Sequence, residues 1–93
     1  MKSYAWNAEK NDLLKETRGI SFEEVVLNIQ FGNEVDIYDH PNQKRYPGQK
    51  VSVVLIEGHA YLVPFVENED GIFLKTIIPS RKATTIYAGG SNE

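Results

Sequence analysis

The stretch richest in groups that could do chemistry is Phe73-Leu74-Lys75-Thr76-Ile77-Ile78-Pro79-Ser80-Arg81-Lys82-Ala83-Thr84. It begins as an apolar strand carrying one lysine, stops at a proline, and opens into Ser-Arg-Lys-Ala-Thr, the densest run of donors in the chain. Ile77 and Ile78 would anchor the strand and Pro79 would stiffen its exit. A guanidinium held there suits an oxyanion such as phosphate, because its planar fork can donate two hydrogen bonds to one group. Lys82 is adjacent in sequence but need not point the same way. The same run also fits a plain strand end with a solvated basic tail.

Other reactive residues are sparse. His40 and His59 fall on turns with no carboxylate at ligand spacing, so no metal site is expected, although either could serve as a general base. No Ser/His/Asp arrangement follows from spacing. Gly89-Gly90 lacks the strand–loop–helix setting of a phosphate loop. Glu67, Glu69 and Asp70 crowd a hairpin tip and read as solubilising charges.

The chain has 93 residues, 41% hydrophobic and 25% charged, with no cysteine. That fits one domain over residues 1–87 with a flexible tail at 88–93. A chain of this size buries only roughly 60–65% of its unfolded surface, so a partner would help it. No disulfide framework or thiolate site is possible. No apolar run approaches the ~18 residues of a membrane span, and no apolar signal core opens the chain, so a cytoplasmic protein is expected. The net charge is −3, unevenly spread: residues 1–39 hold 8 acids and 4 bases, residues 40–93 hold 5 acids and 6 bases. A local basic site in the second half is therefore compatible with the overall acidity.

Asn7 predicts the N-cap of a helix over about residues 8–17, stopped by Gly19. Ser21 and Glu24 form a capping box, and Ile20 with Val25 a hydrophobic staple. Phe22, Val25, Val26 and Ile29 then mark one buried stripe of a second helix ending near Phe31. From Glu34 the period changes to two, predicting a strand, followed by a polar connection with turns at His40-Pro41-Asn42 and Tyr46-Pro47-Gly48. Three more strands are expected at about 50–57, 60–66 and 71–78. They join through a Gly58-His59 hairpin and a longer acidic loop at 67–71. Pro64 inside the third strand predicts a bulge or a locally open pairing.

The expected fold is α+β: two N-terminal helices packed on a four-stranded, mainly antiparallel sheet. Strand alternation gives one face to Val51, Val53, Leu55, Leu62, Val66, Ile72, Leu74 and Ile78, the expected floor for the helices. Phe22, Val25, Val26 and Ile29 would pack there against Leu55, Leu62 and Leu74. The other face gathers Ser52, Val54, Ile56, Tyr61, Val63, Phe65, Phe73, Lys75 and Ile77. Two short helices cannot cover two apolar faces. A partner, a ligand, or the 40–49 loop with the tail must cover the second.

Three motifs occur in order: Trp6-Asn7-x-x-Lys10, Gly19-Ile20-Ser21-Phe22-Glu23-Glu24 and Pro79-Ser80-Arg81-Lys82-Ala83-Thr84. With the α-α-β-β-β-β order and the length, they resemble the BrnT family of type II toxin–antitoxin toxins over residues 4–84. The chain departs from the family in carrying Asn7 where Asp is usual, Arg18 where many members have His, and Thr76, with Lys75 beside it, where an arginine is common. The resemblance implies a RelE-like fold and a metal-independent endoribonuclease, without cofactor, that stops translation. It also implies a cognate antitoxin with a ribbon-helix-helix domain, through which the complex contacts operator DNA.

RNA cleavage by 2′-OH attack needs a cation for the phosphorane charge, a proton carrier, and a ring on which a base can stack. Lys10, Lys75, Arg81 and Lys82 are the candidate cations, His59 the candidate proton carrier, and Trp6 and Tyr61 the candidate RNA-binding rings. In a simple meander Lys44, Arg45 and Lys50 lie at the opposite end of the sheet from Arg81, outside such a site. A non-catalytic protein-binding module, meeting its partner through Tyr61, Phe65 or the last strand, is the alternative of a different class.

Overall fold

The structure, a computed structural model, describes residues 3–89. Residues 90–93 of the expected tail lie outside the described residues. The fold is α+β, with elements β1 Ser3–Ala5, α1 Ala8–Arg18, α2 Phe22–Gln30, β2 Glu34–Asp39, β3 Lys50–Ile56, β4 His59–Asn68, β5 Gly71–Leu74, β6 Ile78–Pro79 and α3 Arg81–Tyr87. The strands form one mixed sheet in the order β1-β5-β4-β3-β2, with β6 also on β4. Among the described residues only the β1–β5 pair is parallel.

The first two helices form where their caps dictate. Asn7 Oδ1 accepts from Lys10 N at 2.8 Å, Ser21 Oγ accepts from Glu24 N at 3.1 Å, and Gly19 closes α1 at φ 66°. The corner between them depends on Asn11, a buried residue that periodicity does not single out. Its Oδ1 accepts from Phe22 N at 2.8 Å and its Nδ2 donates to Glu23 Oε1 at 2.7 Å. Arg18 donates to Ile77 O at 2.6 Å and ties the end of α1 to the last strand segment.

Leu14, Ile20, Phe22 and Val25 pack on Val54, Ile56, Val63, Phe65, Leu74 and Ile77. Full burial of such side chains contributes about 1.5–3 kcal/mol each. This corrects the face assignment: the helices lie on the Val54–Phe65 side, and Leu55 and Leu62 face away from them. Alternation finds two faces but cannot say which receives the helices when both are apolar. The expected register between the last two strands also slips by one. A two-residue turn at Glu69–Asp70 pairs Phe65 with Leu74, which puts Leu74 and Ile72 on the Phe65 side. Phe65 is therefore buried and Tyr61 half-buried, so the first two helices, and not a partner, a ligand or the 40–49 loop, cover the Val54–Phe65 face.

The β3–β4 turn sits at Glu57–Gly58, one residue before the expected position. Both residues have positive φ, 52° and 81°, as a type I′ hairpin requires. The last strand is broken. Pairing is lost after Leu74 and resumes at Ile78 with one residue added, and Lys75 N donates to Pro64 O at 2.8 Å inside the gap. Pro64, which has no N–H to give, lies where the pairing opens.

Two elements go beyond the expected set. β1 pairs beside Gly71, where an added Cβ would stand 2.3 Å from Ser3 O, so only glycine permits this approach. The basic run after Pro79 is a helix, α3, whose N-cap Ser80 Oγ accepts from Ala83 N at 3.1 Å. Ala83 and Tyr87 cover Val53, Ala60, Leu55 and Leu62, so α3 lies on the face that was expected to receive the first two helices.

Candidate functional site

Where β6 ends and α3 begins, an open cleft of about 580 Å³ is lined by His59, Ala60, Tyr61, Pro79, Ser80, Arg81 and Thr84. Its geometry follows from how the sheet stops. Pro79 is the last residue of β6 paired to β4, opposite Tyr61. One position further, Ser80 N donates to Ala60 O at 3.1 Å. The Thr84 hydroxyl completes the join, accepting from Ala60 N at 2.9 Å and donating to Ser80 O at 2.8 Å. One side chain thus binds β4 to the first turn of α3 and sets Arg81 relative to His59.

His59 and Arg81 are exposed, and Tyr61 is half-buried. Among the described residues, no carboxylate pairs with Arg81 or His59. The cleft therefore presents an unneutralised guanidinium, an imidazole and a phenol ring to one volume. Such a set can hold a phosphodiester, move a proton, and offer a ring to a base.

The other expected site residues do not join it. Lys82 lines a smaller hollow of about 240 Å³, between α3 and the sheet, with Tyr38, Val53, Leu62, Ile86 and Tyr87. Lys75 lies beside Pro64, three positions along β4 from Tyr61, or roughly 10 Å, and its Nζ is 5.6 Å from the Phe73 ring centroid. Lys10 sits in the first turn of α1, away from the cleft lining. Trp6 stacks on Phe22, centroids 5.7 Å apart and planes at 22°, and lies half-buried against the main core, outside the cleft lining.

Ser80 and Thr84 are the residues that motif reading quotes without giving them a role. The available signal was Ser80 as an N-cap three residues before Ala83. Tyr87 adds a second latch: its hydroxyl donates to the Asp36 carboxylate, pinning α3 to β2. That bond, more than burial, pushes the Tyr87 hydroxyl above its usual range.

Among the described residues no three His, Asp or Glu side chains gather as metal ligands, and no helix is long and apolar enough to cross a membrane. No protein-family model matches this chain, and no curated protein or solved structure resembles it significantly.

Proposed function

We propose that this chain is a toxin of the BrnT type, a cytoplasmic endoribonuclease of RelE-like fold whose RNA site is the cleft between the start of β4 and α3. The observation that carries the reading is the meeting of His59, Tyr61 and Arg81 around one open volume. In the reaction, a 2′-oxygen attacks the adjacent phosphorus, an O2′–P bond forms and the P–O5′ bond breaks. The products are a 2′,3′-cyclic phosphate and a 5′-hydroxyl. His59 takes the 2′-OH proton or supplies one to O5′. Arg81 donates to the non-bridging oxygens as charge builds on them. Tyr61 forms the wall against which a base stacks.

A ribbon-helix-helix antitoxin is the proposed partner, and its seat moves from the Tyr61–Phe65 face to the outer edge of β2. This is a terminal strand of the sheet, with Val35, Ile37 and Tyr38 exposed and Phe31 exposed just before it. An open apolar edge of this kind invites an added strand. A second copy fits poorly, because antiparallel pairing of two β2 edges in centred register sets Glu34 opposite Asp39, like charge on like. An extended segment with basic residues at those positions fits better. The same edge favours the second reading, a non-catalytic binding module.

Expression in a bacterium lacking the antitoxin separates the two readings. Wild type arrests growth and Arg81→Ala does not, while co-expression of the antitoxin restores growth. A harmless wild type, or equal arrest by both forms, overturns the catalytic reading.

A further inference from the structure

At the far end of the sheet from the cleft, residues 40–49 connect β2 to β3. The residues 41–45 are exposed, yet the loop is tightly ordered by its own polar side chains. Asn42 N donates to His40 Nδ1 at 3.0 Å, and Asn42 Oδ1 accepts from Arg45 N at 3.1 Å. Gln43 Nε2 donates to His40 O at 2.8 Å and Gln49 O at 3.0 Å, while its Oε1 accepts from Gly48 N at 3.0 Å. These bonds hold two rings and a guanidinium close together, tilted to one another. The His40 and Tyr46 rings are 4.5 Å apart, tilted at 44°, and the Arg45 guanidinium carbon is 5.5 Å from the Tyr46 centroid.

Lys44 and Arg45 have no carboxylate partner among the described residues, whereas Lys50 is paired with Asp39 at 2.9 Å. Two cations without a carboxylate partner, Lys44 and Arg45, beside an imidazole and a phenol ring, in a shape fixed beforehand, match single-stranded nucleic acid. Phosphates meet Lys44 and Arg45, and a base packs against one of the rings. An acidic peptide would use the charges but leave the rings idle.

We infer that the 40–49 loop is a second RNA contact, gripping single-stranded RNA away from the scissile bond. This rests on the endoribonuclease reading and deepens it. Lys50 and Ile56, which pairs with His59, mark opposite ends of β3, roughly 20 Å apart. The loop therefore governs substrate affinity and leaves the chemical step alone.

The test uses the full chain, a short fluorescein-labelled oligouridylate, and the double variant Lys44→Ala/Arg45→Ala. Affinity is measured against salt concentration, and cleavage at saturating RNA. The variant is expected to bind more weakly, with the slope of log affinity against log salt reduced by about 1.4, while kcat is unchanged. Tyr46→Ala is expected to weaken binding with the salt slope intact, and thermal melting checks that each variant is folded. If wild type cleaves and the double variant shows the same affinity and slope, the loop inference fails and the catalytic reading stands. If wild type neither binds nor cleaves, both fail. Equal binding of duplex RNA, or equal competition by polyglutamate, overturns the single-strand assignment.

Discussion

On one face of the sheet α1 and α2 bury Leu14, Ile20, Phe22 and Val25 against five strand side chains and Ile77; on the other, α3 lowers only Ala83 and part of Tyr87 onto Val53, Ala60, Leu55 and Leu62. The first cover is held by apolar burial and three well-formed caps. The second is a seven-residue helix held mainly by two hydroxyls, Thr84 on Ala60 and Tyr87 on Asp36. The contrast assigns different work to the two faces. Stability resides under α1 and α2, and the groups able to handle a ligand gather where the thin cover begins.

The largest test of that division is Phe22→Ala. Phe22 is fully buried and stacks on Trp6, so its loss should cost about 3–5 kcal/mol in urea unfolding. A cost under about 1 kcal/mol would mean the heavy face does not govern the fold.

Asn11→Ala comes next. It leaves the buried N–H of Phe22 without a partner, at about 1–3 kcal/mol. It also frees Glu23, whose carboxyl is held below its usual 4.5 chiefly by the Asn11 hydrogen bond. A depressed carboxylate stabilises the fold above its unfolded value, and that contribution disappears as pH falls through the lower folded value. Wild type should lose stability there, and Asn11→Ala should show a flatter acid limb. Identical limbs would remove the Asn11–Glu23 link.

On the thin face, Thr84→Val should cost about 1 kcal/mol, with Thr84→Ser recovering most of it. Because this hydroxyl joins the start of α3, which carries Arg81, to β4 beside His59, any RNA cleavage under the proposed function should fall with Thr84→Val and return with Thr84→Ser. Cleavage unchanged by Thr84→Val would separate the latch from the cleft.

The smallest effect is expected from Tyr87→Phe. The raised Tyr87 value means its contribution is full below 10.0 and is lost as pH rises through the folded value, so the variant should differ from wild type in neutral solution and converge with it in strong alkali. A difference that persists in alkali would point to packing instead of the Asp36 bond.

What could be read from the sequence was local. Asn7, Gly19 and Ser21 announce α1 and α2 because capping chemistry acts within one turn. The placement of His59 near Arg81 was also legible, since a meander brings the start of one strand beside the end of another. Registers were not legible: the first turn at Glu57–Gly58 shifts the pairing but keeps the faces, whereas the second at Glu69–Asp70 slips β5 by one residue against β4 and exchanges its faces. α3 was hidden because Thr84-Thr85-Ile86 is β-branched and weakly helical, and the helix exists through its contacts with Ala60 and Asp36. β1 was hidden because it is three residues long and pairs with a distant strand, its one trace being Gly71. Trp6 reads as a stacking ring for RNA until Phe22 is found against it.

The proposed RNA site depends on Arg81 meeting a phosphate in the cleft at the start of α3. Its most direct test is RNA cleavage by the purified chain in EDTA, wild type against Arg81→Ala, with product ends identified and melting curves compared. The expected result is cleavage leaving 2′,3′-cyclic phosphate ends, a rate loss on the order of 100-fold in Arg81→Ala, and an unchanged melting curve. Intact RNA with wild type, or equal cleavage by both proteins, would contradict it.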